Sequence, residues 1–553
     1  MNVKNRKMIA AIALTFAAGI LMSRADTHYV SLQGTNDVAN GYITWAGAAT
    51  QIQWAVDAAQ ATTDGDTVLV SNGTYNLTNQ INILSNITVQ SVNGTNFTFV
   101  NGNYPDYTNR CVYMSAGTLD GFTVSNGFLT NYTDGGVNGG AGIVIRVGGV
   151  TVKNCYIYKN YITNACGGGI YVRSATGVII SNCAIVGNTC TLKYYGGGID
   201  LYAATAGSLL IDSYISGNTG GYGGGVANRN GTSLITNCTI AGNTATETGG
   251  GVRLENCGGV GGVFTNFGYV ALANCVISNN SGSSGGPGGV YCYGSTLINC
   301  TIIGNRATVV GGVSVSAGNW WGSLMSNCQV IANTASGNYC GGVALYGSAG
   351  FANVVANCII ANNVFSVGGY PAGIWLGRGG LVKNCLISCN TNTSSGGGVC
   401  LYIGSSEPLF TNFPYGLINC TIVNNQASSG AGIYAKGGTN YIENCIVVSN
   451  VTSAGAQVNI YNDTAANTNN YWLTCTPDVL PPNQGNITSD TLFVDRPNRN
   501  YRLSAGSPCI NTGTNHAWIT NSVDLDGRTR IRYVTVDMGA YEFIRSGTIF
   551  GFH

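Results

Sequence analysis

The chain has 553 residues, 82 of them glycine, with only 8% charged residues and a formal net charge of +1. A surface so poor in Lys and Arg gives no electrostatic hold on nucleic acid or an acidic membrane, and the glycine content argues for many tight turns and few helices. The length exceeds what one compact core holds but suits a solenoid, which grows along one axis.

Residues 1–25 read as an export signal. Lys4, Arg6 and Lys7 precede an apolar run from Met8 to Met22, and Ser23-Arg24-Ala25 supplies a small-x-small cleavage site. Cleavage after Ala25 is expected, with an uncleaved membrane anchor as the alternative. The run is short against the roughly 20 residues of a spanning helix. No later stretch is comparably apolar, so no transmembrane span is expected after cleavage. The protein is expected to be secreted or at the cell surface.

Residues 26–84 form an N-terminal cap. Ile52-Gln53-Trp54-Ala55-Val56-Asp57-Ala58-Ala59 is apolar at i, i+3, i+4 and i+7, which predicts a short amphipathic helix. Gly65-Asp66-Thr67-Val68-Leu69-Val70 then reads as a strand. A helix over the open end of a stack shields an edge that would otherwise recruit other chains.

Residues 85–460 are repetitive. Asn299-Cys300-Thr301-Ile302, Asn305 and Gly311-Gly312-Val313 show the unit. The Cys position recurs at Cys155, Cys183, Cys238, Cys275, Cys300, Cys328, Cys358, Cys385, Cys420 and Cys445, and Ser213 fills one rung. An Asn follows five residues after each, from Asn160 to Asn450. Rungs recur about every 25 to 37 residues. Apolar alternation lasts only four or five residues, as in Val313-x-Val315, so these strands cannot bury a face without stacked neighbours. Three short strands per coil predict an all-β parallel β-helix, with like residues stacked about 4.8 Å apart.

The Asn before each Cys is expected at a tight turn in the left-handed region, with its amide bonding the next coil. The second Asn should end the third strand, and Cys and Ile should stack inside. Asn299→Leu is expected to cost about 1–3 kcal/mol through lost buried amide partners. Ser213 interrupts the cysteine ladder without loss of the repeat, so the ladder is expected to hold free buried thiols. Off-ladder Cys475 and Cys509 are the better disulfide candidates.

Residues 461–553 break the pattern with an Asn/Thr/Pro-rich stretch and then denser motifs. Two stretches of the chain carry family resemblances. The segment from Trp54 through Gly65-Asp66-Thr67-Val68-Leu69-Val70 to Gly73-Thr74-Tyr75 resembles the N-terminal cap of the pectin-lyase-like superfamily. That resemblance, with the usual crossover preference, implies a right-handed β-helix. Asn500-Tyr501-Arg502-Leu503, Ser507-Pro508-Cys509, Asp524-Leu525-Asp526-Gly527-Arg528 and Val536-Asp537-Met538-Gly539-Ala540-Tyr541-Glu542 resemble the choice-of-anchor Q domain that ends many secreted bacterial β-helix proteins. A capping role over the last coil is expected for it. Asp524-Leu525-Asp526-Gly527 looks like the start of a calcium loop, but the remaining positions of such a loop are absent, which favours a structural turn.

Alternation on the strand after each glycine run turns a distinctive set of side chains outward. Its aromatics, Tyr171, Tyr202, Tyr291, Tyr293, Tyr346, Trp375, Tyr402 and Tyr434, are candidates for contact with the apolar faces of sugar rings. Its ionic groups, Arg173, Asp200, Arg229, Arg253 and Glu255, with Glu247 nearby, are the candidate catalytic cluster. A β-helix lyase takes the proton α to a carboxylate with a basic side chain and neutralises that carboxylate with Arg or with Ca²⁺. Hydrolysis of the polygalacturonase type is less favoured, because His28, His516 and His553 all lie outside the repeats. The leading expectation is a monomer that binds extracellular polysaccharide or cell-surface glycan without turnover, using no metal or cofactor. A uronate lyase, with Ca²⁺ as a possible cofactor, is the first alternative. A structural spacer or adhesin stalk is the second. Long loops carrying Phe264–Phe267 and Phe410–Phe413, and one carrying Trp320 and Trp321, are the candidates for ligand selection.

Overall fold

The computed structural model describes residues 25–545 except 63, 131–138, 192, 258–268, 284, 320, 348–350, 352, 367, 378–379, 403–415, 438–439 and 464–469. The export signal, both Phe-Thr-Asn-Phe loops and Trp320 therefore lie outside the described residues.

The chain winds as a right-handed parallel β-solenoid of about 12 turns. Each turn is built from the short strands that the alternation predicts, but between residues 128 and 392 most turns have four rather than three. The coil around Cys300 shows them as Val290–Tyr293, Thr296–Ile298, Thr301–Ile303 and Arg306–Ala307. Equivalent strands stack into sheets of 14, 16, 14 and 10 strands. The first sheet follows the glycine runs, the second precedes the Asn-Cys pair and the third follows it. The fourth sheet consists mostly of two-residue strands, too short to carry a period.

Side-chain ladders explain why these sequences stack. Asn299 has φ +54° and its equivalents share this left-handed turn. The Asn299 amide donates to Asn274 Oδ1 at 3.2 Å, but from an exposed position. The buried ladder is the second one. Asn305 is fully buried and its Oδ1 accepts the Asn280 N–H and Nδ2–H, both at 2.9 Å. Its own Nδ2 donates to Asn333 Oδ1 at 3.0 Å and Ile277 O at 2.9 Å. The cost expected for Asn299→Leu from lost buried amides therefore belongs to Asn305 and its equivalents. Inside the coil, the Cys300 N–H donates to Cys328 Sγ at 3.4 Å, and the Cys300 thiol donates to Ile298 O at 3.2 Å. Ser213 performs both tasks with a hydroxyl, accepting from Cys183 N at 3.2 Å and donating to Ile211 O at 2.8 Å. All twenty cysteines are free thiols, including Cys475 and Cys509.

The helix Ile52–Gln60 buries Ile52, Ala55, Val56 and Ala59 against the first coil. Parallel pairing extends beyond the 85–460 span of the repeats, from Thr27–Val30 to Asn470–Trp472. The tail does more than cover the last coil. Residues 473–487 close the end, with Leu480 packed on the core. The following stretch then runs back along the flank. Asn384 donates to Val523 O at 2.9 Å, Asn419 to Asp537 O at 3.1 Å and Asn444 to Thr514 O at 3.0 Å. The exposed Asn ladder thus becomes a docking rail on the last rungs. Gly539, at φ +88°, passes so close that a Cβ would stand 2.7 Å from Ile446 Cδ1 and Thr421 Oγ1. Leu386, Val423, Ile446 and Val448 face outward from the third sheet and are buried by Tyr501, Leu503, Met538 and Ala540 of the tail.

Candidate functional site

The first sheet presents two outward rows. One row runs Val144, Tyr171, Asp200, Ala227, Arg253, Tyr291, Ser314, Ala344, Trp375, Cys400, Tyr434 and Tyr461. The other runs Arg173, Tyr202, Arg229, Glu255, Tyr293, Ser316, Tyr346, Gly377, Tyr402 and Lys436. Alternation thus places every candidate except Glu247 on one face. The segment between the fourth sheet and the glycine run stands against the first row and makes it one wall of a corner.

The ionic residues are locked rather than open. Asp200 is fully buried and accepts from Arg229 Nε at 3.2 Å and Nη2 at 2.8 Å. The Arg229 guanidinium lies 3.8 Å from the Tyr195 ring centre and 4.3 Å from that of Tyr202. Burial alone would lower its pKa, but Asp200 outweighs burial and holds the guanidinium charged above its ordinary range. Arg253 donates to Glu255 at 3.0 Å and to Thr248 Oγ1, with the Tyr291 ring 4.6 Å away and the Tyr222 ring 4.8 Å away. Three guanidiniums thus meet two carboxylates. Among the described residues Arg173 has no carboxylate partner, and its buried Nη1 has no hydrogen-bond partner. Glu247 stands on the fourth sheet, in the strand Thr244–Thr248, and makes no ion pair with a described residue. Among the described residues no three His, Cys, Asp or Glu side chains gather as a metal site.

Two of the predicted sugar-contacting rings are not available as such. Tyr171 is 5% exposed because its ring lies over Gly139, where a Cβ would come within 2.0 Å of it. Burial, reinforced by Asp200, raises its pKa. Trp375 is 7% exposed and lies over Gly377, where a Cβ would be 2.2 Å from the ring. It is wedged against Tyr346 at 4.8 Å and Tyr339 at 5.3 Å. Tyr402 remains 40% exposed, 6.2 Å from Trp375 and with Lys436 Nζ 5.7 Å from its ring. Tyr434 stacks on Tyr461 at 5.5 Å, and burial with Asp463 pushes its pKa up to about 12. The Tyr293 hydroxyl donates to Asn319 at 2.8 Å. Stacking along the axis occupies many ring faces with one another, so hydroxyls and edges are presented as much as faces.

Sequence reasoning missed Tyr195, Tyr222, Tyr339 and Tyr370, which complete the corner. Each sits one to three residues before a glycine-containing turn into the first sheet, a signal legible once a fourth strand is known. Asp524-Leu525-Asp526-Gly527 forms a closed turn, the reading its sequence favours. Asp524 accepts the N–H groups of Asp526 at 2.9 Å, Arg528 at 2.8 Å and Glu542 at 2.9 Å.

Residues 141–365 match the family described as right handed beta helix region. The chain is also similar to solved structures at low identity and low TM-score. Pectate lyase Pel9A is 16% identical, with 95% of this chain and 98% of that chain covered and a TM-score of 0.26. The Dettilon tailspike protein gp208 is 14% identical, with 69% of each chain covered and a TM-score of 0.33. The catalytic unit of a GH87 alpha-1,3-glucanase from Streptomyces thermodiastaticus strain HF3-3 is 15% identical, with 70% and 66% covered and a TM-score of 0.31. No curated protein matches the chain.

Proposed function

We propose that the protein is a secreted or cell-surface β-helix that binds polysaccharide or cell-surface glycan along the first sheet, without turnover. The observation that carries this reading is the locked state of the central Arg229 and Arg253. Each is paired with a carboxylate and faced by tyrosine rings, and Arg229 is held charged. A cation fixed in that way is a poor proton-abstracting base, because a base must first give up its own proton. Asp200 and Glu255 are likewise spent on guanidiniums, which leaves no acidic ligand set for Ca²⁺ among the described residues of the rows. What remains on the surface is a line of tyrosine edges and hydroxyls that includes the exposed Tyr402 and Tyr461, a surface suited to the mixed apolar and hydroxyl faces of sugars. We keep the tail as a choice-of-anchor Q-like unit that braces the shaft.

The test is a glycan array with purified protein, followed on every acidic hit by ultraviolet absorbance for unsaturated uronate. Retained ligand without new absorbance supports the proposal. The second reading, a uronate lyase, is favoured by Arg173, whose buried Nη1 has no partner. New absorbance that disappears in Arg173→Met would replace the first reading by the second.

A further inference from the structure

The flank covered by the returning tail brings two thiols together. Cys475 continues the third sheet, bridging Ile446 on one side and Ile487 on the other. Ile446 is an outward position, so Cys475 faces the tail. Cys445, one rung below, turns inward and donates to Glu443 O at 3.2 Å and Leu417 O at 3.6 Å. Cys509 comes from the tail and is placed by its carbonyl, which accepts the Met538 N–H at 3.0 Å. The Cys475 thiol donates to Ser489 O at 3.5 Å, on the side from which the tail packs. Both side chains are 0% exposed and share one apolar cluster with Ile446, Tyr501 and Met538.

This pair differs from the ladder thiols. An interior ladder sulfur such as Cys328 has one neighbour above and one below, Cys358 and Cys300, and already accepts an N–H from the preceding rung. Cys475 and Cys509 come from two separate elements, and a bond between them would tie the tail to the last coil.

We infer that Cys475 and Cys509 form a disulfide when the chain folds under oxidising conditions, fastening the tail to the shaft. Both S–H bonds break and one S–S bond forms. The electron pair passes to an external disulfide of the oxidised-glutathione class, whose two sulfurs leave as thiols carrying the two protons. In the closed, reduced state the contact with Cys475, together with burial, keeps the Cys509 thiol protonated. Exchange proceeds through the thiolate, so the bond forms while the tail is docking rather than after it has closed.

The test refolds the full chain from denaturant, once with oxidised and reduced glutathione and once with dithiothreitol. Both samples are then alkylated in denaturant and digested. The glutathione sample should show one cross-linked peptide pair joining Cys475 to Cys509. The number of alkylated cysteines should fall from twenty to the twenty less two that remain. Limited proteolysis in the exposed stretch around Val479 should leave fragments that separate only after reduction. Cys509→Ser should abolish the cross-link and return Cys475 to the alkylated set, and Cys475→Ser should do the converse if the first variant fails to fold. Twenty alkylated cysteines in both samples, or a cross-link within the Asn-Cys ladder in place of this pair, overturns the inference.

Discussion

Asn305→Leu isolates the interaction that holds the coils in register. Asn305 is fully buried, and its side chain makes four hydrogen bonds across three rungs. Leucine leaves the Asn280 N–H and Nδ2–H without an acceptor. Asn333 Oδ1 keeps one donor, because the Asn305 backbone N–H still reaches it at 2.9 Å. Each orphaned buried donor costs about 1–3 kcal/mol, so two give about 2–6 kcal/mol, offset by about 1 kcal/mol of apolar burial. The control is Asn299→Gly at an exposed turn with φ +54°, where glycine suits the backbone and the change should stay within about 1 kcal/mol. Urea unfolding followed by circular dichroism compares the two midpoints. An Asn305→Leu shift no larger than that of Asn299→Gly would show that the buried ladder does not hold the stack.

Other measurements follow from the same structure. In protein kept reduced, a thiol reagent should reach few cysteines before unfolding, because only Cys166 and Cys389 are not fully buried, and all twenty afterwards. Asp200→Asn should destabilise by about 3–5 kcal/mol, because it leaves the buried Arg229 charge without its carboxylate. Tyr402→Ala should weaken glycan binding about fivefold to thirtyfold, the effect of about 1–2 kcal/mol, whereas Tyr171→Phe should leave it unchanged in a binding titration. The tail should loosen at alkaline pH. Burial, partly offset by Arg530 and reinforced by Asp537, raises Glu542 from 4.5 to about 8. A folded pKa above the unfolded one means stability present at low pH and lost as pH rises through that window. Asp537 is also raised, mainly by burial, and adds the same sign. Hydrogen exchange in residues 520–543 should therefore be faster near pH 9 than near pH 6 after correction for intrinsic rates, and Glu542→Gln should flatten the difference. An unchanged pH dependence in Glu542→Gln would remove this group as the cause.

What could be read from the sequence was what repeats. The Asn and Cys ladders were legible because stacking puts each rung in one environment, and the same residue solves the same problem at every rung. The helix Ile52–Gln60 was legible from its own apolar period. The fourth sheet was not, because strands such as Arg306–Ala307 have two residues and show no alternation. Outward direction was legible for Tyr171 and Trp375, but their burial was not, since Tyr171 folds over Gly139 one rung away and Trp375 over Gly377 and against Tyr339 and Tyr346. Which of the two Asn ladders is buried could not be told from spacing either, because both recur with one period. The tail's course was hidden for a different reason. Its contacts, such as Ala540 N–H to Thr421 Oγ1 at 3.0 Å, join residues more than a hundred positions apart and repeat nowhere.

The proposed ligand surface is the first-sheet face. Hydrogen–deuterium exchange with and without a glycan identified on the array tests it directly. Protection confined to the strands Val343–Tyr346, Ile374–Gly377, Val399–Tyr402 and Ile433–Lys436 is the predicted result. Protection on the second- or third-sheet strands instead, with these four unchanged, would contradict it.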